Sequence, residues 1–132
     1  MRIALVLVLS LAGAGCVKKN NLPADEIPKL KTLAEVMDVQ STIADPQMKK
    51  AGQASYTDAD WTAFADVGAR LQATSTKVKE FTKGPEFVAF ADQLNAKARA
   101  LADAAGAKDA AGASKALTEM KDTCRACHKK FK

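Results

Sequence analysis

The chain has 132 residues and a formal net charge of +5, enough for one domain with a modest core. Its basic residues are scattered and form no aromatic–basic stripe, so nucleic acid is not an expected partner. Met1-Arg2, the apolar run Ile3 to Leu11 and the small residues Ala12-Gly13-Ala14-Gly15 read as an export leader over residues 1–15, too short for a stable membrane span. Removing Arg2 with that leader lowers the charge to +4, and a mildly positive surface suits an acidic partner.

Small residues directly before Cys16 resemble a bacterial lipobox, although Gly13 stands where that box usually carries leucine. The expectation is a lipidated Cys16 that tethers the protein to a membrane in the periplasm, with plain secretion as the alternative. Residues 16–27, with Lys18-Lys19-Asn20-Asn21 and Pro23, read as a polar tether. The folded domain is then 28–132.

Four helical segments follow, and nothing reads as a strand. The first is predicted from Pro28 to about Ala44, with Leu30, Leu33, Ala34, Met37 and Ile43 at helical spacing and Asp45-Pro46 as the stop. Thr57 is a good N-cap for the second, which carries Trp61, Phe64, Val67, Leu71 and Val78 and runs to about Thr82. Lys83-Gly84-Pro85 separates it from the third, which buries Phe87, Phe90, Leu94, Ala98 and Leu101 and ends near Gly106. After Lys108-Asp109 the fourth runs almost to the end, its inward face reading Ala113, Leu117, Met120 or Cys124, Cys127 and Phe131. Short connections make neighbours antiparallel, so the fold class is an all-α, up-down-up-down four-helix bundle. Its many alanines and few aromatics predict a thin core that a bound apolar group would complete.

That group is named by Cys124-Arg125-Ala126-Cys127-His128, the C-x-x-C-H pattern of c-type haem attachment. Cys124 and Cys127 are i and i+3 on a helix and His128 is i+4, so all three meet one porphyrin: two thioethers and a proximal iron ligand. The expected cofactor is one haem c per chain. The pattern has rivals in dithiol redox chemistry and zinc. A redox thiolate wants a helix N-terminus, whereas this motif lies in the last turns of a helix. A zinc site needs a fourth ligand that only scattered carboxylates supply. With Cys16 at the leader boundary and two thiols on haem, no cysteine is left for a disulfide.

A leader, four helices and C-x-x-C-H in the final helix resemble a cytochrome c′. The stretch Cys124-Arg-Ala-Cys127-His128-Lys-Lys-Phe131-Lys132 matches the family's ending, with an aromatic three residues after the histidine and a base at the fourth. The resemblance implies that a residue of the first helix faces the open side of the iron, apolar in five-coordinate members and methionine in six-coordinate ones. The matching position is Met37. The family often has arginine four residues earlier; here it is Leu33, with Lys29 and Lys31 as nearby bases. Met48 and Met120 are placed badly for the distal side. Trp61, Phe64, Phe87 and Phe90 are candidates for the haem edge, and Lys132 for a propionate or the proximal surroundings.

The reading is a periplasmic c-type cytochrome carrying single electrons, with His128 proximal and Met37 distal, and a redox protein as partner. It is not an enzyme in that reading, because the one histidine is used as a ligand and no nucleophile–base pair remains. The alternatives are a five-coordinate protein binding nitric oxide or carbon monoxide, and a thiol–disulfide oxidoreductase using Cys124 and Cys127. The family also implies a homodimer.

Overall fold

The computed structural model describes residues 20–132. The leader, the lipobox-like Cys16 and the first part of the tether lie outside them. Among the described residues the protein is all-helical, with four helices α1 (Leu33–Met48), α2 (Asp58–Val78), α3 (Pro85–Ala107) and α4 (Ala110–Phe131) and no strand. This is the expected antiparallel bundle.

Local chemistry explains most boundaries. At α2 the Thr57 hydroxyl accepts from the Asp60 N–H at 3.2 Å while the Asp60 carboxylate accepts from the Thr57 N–H at 2.9 Å. The two otherwise unpaired donors of the first turn are thus satisfied reciprocally. Gly84, at φ 105°, turns the chain into α3, a conformation open to glycine and strained for other residues, and Pro85 then opens the helix. Asp109 caps α4 by accepting from the Gly112 N–H at 3.0 Å. The α-helical part of α2 stops at Val78 and tightens into a 3-10 turn over Lys79–Phe81.

The first helix differs from expectation at both ends. Pro28 sits in a separate 3-10 turn, Ile27–Lys29, and Leu30 is extended. The start at Leu33 is set by a second capping box, in which Thr32 accepts from the Glu35 N–H at 3.2 Å and Glu35 accepts from the Thr32 N–H at 3.0 Å. Pro46 does not stop the helix. It lies in the last turn, where it removes one intrahelical bond and the helix continues only to Met48. Val36 and Val39 are buried on this helix, whereas Ala34 is exposed.

The expected tether is docked over much of its length. Leu22 packs against the main core, Ile27 is fully buried, and Arg70 on α2 donates to Asn21 Oδ1 at 2.5 Å and to the Leu22 carbonyl at 3.2 Å.

The core divides along the bundle axis. The larger cluster contains Phe64, Leu71, Leu101, Leu117 and Met120, each worth about 1.5–3 kcal/mol when buried. At the other end only Val36, Val78, Phe87 and Ala91 form a small second cluster, bordered by half-buried Met37, Cys127 and Phe131. The bundle is thin at the end where α1 and α3 begin and α4 finishes.

Candidate functional site

A cavity of about 490 Å³ opens beside that small cluster. The volume lies within the range of ordinary cofactor sites. Its walls are the first turns of α1 and α3 and the last turns of α4, closed by the end of α2 at Val78 and by Lys83 from the α2–α3 connection. A more open groove of about 620 Å³ runs between the α1–α2 loop and α4, and none of the expected site residues lines it.

The α4 wall carries Thr123, Cys124, Cys127, His128, Phe131 and Lys132. Helical periodicity makes this a consequence of spacing, since residues three and four apart share a face. His128 stands on the exposed rim, while the two thiols are half-buried and free. Burial, the neighbouring Cys127 and Asp45 push the Cys124 thiol up to about 11. Burial also raises Cys127, with Lys83 acting in the opposite direction. Both thiols are therefore poor thiolates, and dithiol exchange finds no electrostatic support here. Among the described residues no three His, Cys, Asp or Glu side chains gather as a metal cluster.

Across the cavity, α1 contributes Leu33, Met37, Asp38, Gln40 and Ser41. Met37 is half-buried and packs on the small cluster. Met48 and Met120 belong to the larger cluster and do not line the cavity. Gln40 is held from behind, its Nε2 donating to the fully buried Thr74 hydroxyl at 3.1 Å. That hydroxyl in turn donates to the Leu71 carbonyl at 3.1 Å.

The aromatic candidates separate. Phe87 and Phe90 line the cavity, and Phe131 meets both edge-on, with ring centroids 5.4 and 6.2 Å away. Trp61 and Phe64 pack with Tyr56 at centroid distances of 5.2 and 4.9 Å, in the larger core, and do not reach the site. They occupy the start of α2, whereas the cavity touches only its end. Lys132 lines the cavity as expected, and Lys29 and Lys31 do not. Lys83, which in the sequence is only part of a connection, donates from Nζ to the Phe131 carbonyl at 3.1 Å and so stands over the C-terminus of α4. Gln40 was equally invisible, because its spacing from Met37 is a signal only once Met37 is known to face a cavity.

The donor set fits a covalently held haem. Two thiols and an imidazole occupy one face of α4, apolar side chains wall the space, and a thioether faces it from α1. A family model described as Cytochrome C′ matches residues 28–132. The chain belongs to the cytochrome c′ family. It is 39% identical over 70 residues to the protein named cytochrome c′ from Pararhodospirillum photometricum, a match covering 53% of this chain and 56% of that protein. The chain thus spans a little over half the length of that relative. No solved structure matches it significantly.

Cytochromes c′ bind covalently attached haem c with its iron, and haem c is the cofactor of this chain. Within that family the four-helix frame, the haem and a role in electron transport go together. No helix among the described residues is long and apolar enough to cross a membrane.

Proposed function

We propose that this cytochrome c′ carries single electrons, with its haem bound through Cys124 and Cys127, His128 as proximal ligand and Met37 as distal ligand. One observation carries the reading: Met37 lines the cavity from α1, while Met48 and Met120 are buried in the larger core cluster and do not line it. When bound, the haem supplies one-electron exchange at its iron, and His/Met ligation favours the reduced state. The chain's own residues do the rest. Phe87, Phe90 and Phe131 exclude water from one wall, Val36 and Val78 back Met37, and α4 holds both thiols and the imidazole in fixed register.

No residue is assigned a catalytic role. The family is generally one of haem proteins for electrons or small gases rather than enzymes, and Cys124 is held as a thiol. In a five-coordinate state the same cavity would admit nitric oxide or carbon monoxide. The test is the visible spectrum of the haem-loaded protein. A low-spin ferrous spectrum that becomes high-spin in Met37→Ala supports the reading, and a high-spin wild-type spectrum that shifts with carbon monoxide overturns it.

The periplasmic location and lipid anchor at Cys16 belong to the same proposal. Mass spectrometry of the mature N-terminus then shows acyl chains on Cys16; an unmodified cleavage product removes the anchor. A homodimer is checked by sedimentation of the haem-loaded protein.

A further inference from the structure

We propose that the outer flank of α4 beside His128 is the docking surface for a redox protein with an acidic face, an inference that rests on the electron-carrier reading. Lys121, Arg125, Lys129 and Lys132 follow one another at steps of four, four and three residues, all exposed. At helical pitch these positions fall within about a quarter-turn, and His128 lies at the edge of the same strip.

Elsewhere on the bundle, among the described residues, most cations find carboxylates, and the unpaired ones, Lys31, Lys49, Lys83 and Arg99, lie apart from one another in the sequence. Lys50 pairs with Asp60, Lys79 with Asp92, Lys97 with Glu119 and Lys108 with Asp58. Lys130, on the other side of α4, pairs with Glu86. The four cations of the strip have no ion pair among the described residues, and the one acid at its border, Asp122, makes no ion pair with them.

Like charges three and four residues apart weaken a helix. Attraction to the helix C-terminus offsets this for Lys129 and Lys132 in the last turn, and fades before Lys121. The arrangement is thus mildly unfavourable for the free helix and becomes favourable against a negative surface. Such strips raise encounter rates and orient the partner. Here orientation brings the partner to the rim of the cavity on which the exposed His128 stands.

The test uses the reduced, haem-loaded protein mixed rapidly with three acceptors: hexacyanoferrate(III), hexaammineruthenium(III) and plastocyanin, a copper protein with an acidic face. Lys121→Glu with Lys129→Glu is compared with Lys49→Glu and Arg99→Glu, two exposed, unpaired cations away from the cavity, so the net charge changes equally. Arg125 is left intact because it lies between the two cysteines. Midpoint potentials of both variants correct for driving force.

The expected result is about tenfold slower oxidation by the anionic acceptor and by plastocyanin in the α4 variant at low salt. That difference disappears near about 1 M salt, and hexaammineruthenium is not slowed. The control variant stays within about twofold of wild type for all three. Equal slowing in the two variants overturns the docking surface. So does an α4 variant that keeps its rates but no longer binds phosphatidylglycerol vesicles, since the strip then faces lipid. A wild-type protein that none of the acceptors oxidises overturns the carrier reading itself.

Discussion

Gly68 on α2 meets Ala98 on α3 so closely that a Cβ at position 68 would lie 2.8 Å from the Ala98 carbonyl oxygen and 2.9 Å from Ala102 Cβ. Both obstacles belong to α3 itself and neither can rotate aside. This contact is what lets the two longest-packed helices approach, and it fixes the frame from which Phe87 and Phe90 reach the cavity. Gly68→Ala is expected to destabilise the protein by about 1–3 kcal/mol through overpacking. Gly106→Ala meets nothing within 4 Å and adopts no left-handed conformation, so it is neutral or stabilising by about 0.4–1 kcal/mol. Thermal unfolding of the two haem-loaded variants separates these outcomes, since the first loses several degrees and the second does not.

Arg70 holds the N-terminal strap. Its side chain is only 13% exposed, and its guanidinium serves Asn21, Leu22 and Asp66 together. Arg70→Gln is expected to cost about 1–2 kcal/mol, in line with charge-assisted hydrogen bonds at a partly covered site. Limited proteolysis read by mass spectrometry will then cut the variant before Ile27 faster than wild type, while α2 and α3 stay protected.

Asp60 makes folding sensitive to acid. The Lys50 ammonium bonded to it, with the Thr57 N–H and hydroxyl, holds its carboxyl at about 2 against an ordinary 3.8. A depressed carboxylate contributes stability that is complete above its unfolded value and lost as the pH falls toward its folded value. Stability should therefore decline between pH 3.8 and about 2, and Asp60→Asn should flatten that part of the acid-unfolding curve. A carboxyl NMR titration gives the Asp60 midpoint directly, and a value near 3.8 would contradict the capping geometry.

Cys124 acts in the alkaline direction in the haem-free chain. Its folded value of about 11 lies above the ordinary thiol value of 9.0, so the folded state keeps a proton that the unfolded state releases. Stability from this source is complete below pH 9.0 and lost as the pH rises to about 11, a change of about 2–3 kcal/mol that Cys124→Ala removes. Iodoacetamide at pH 8 should label Cys127 before Cys124, because burial suppresses the Cys124 thiolate more strongly.

Capping chemistry was legible where one residue dominated. Thr57 and Gly84-Pro85 mark helix starts in the sequence and in the fold alike, whereas Asp109 reads as connection in the sequence and caps α4 in the fold. At α1 two signals competed. Pro28 suits a first helical position, but Thr32 and Glu35 satisfy two backbone donors and win. The prolines there mislead in both directions, since Pro46 lies within the final turn that it was expected to prevent. Ala34 shares helical spacing with Leu30, but Leu30 precedes the helix, so the buried stripe runs through Val36 and Val39 instead.

What the amino-acid sequence determined by itself is local: four helical spans, the starts of two of them, and a Cys124–Cys127–His128 face whose i, i+3, i+4 spacing holds on any helix. Tertiary structure decided the level along the bundle axis. Trp61 and Phe87 have similar periodicity, yet one packs with Tyr56 in the main core and the other lines the cavity. Met37 and Met48 lie on one helix, and only packing puts the first at the thin end and the second in the thick one. Lys83 became part of the site because an antiparallel turn returns the α2–α3 connection to the end of α4. Periodicity specifies a direction around a helix axis; which neighbour lies in that direction, and how far along, follows only when all four helices are packed together.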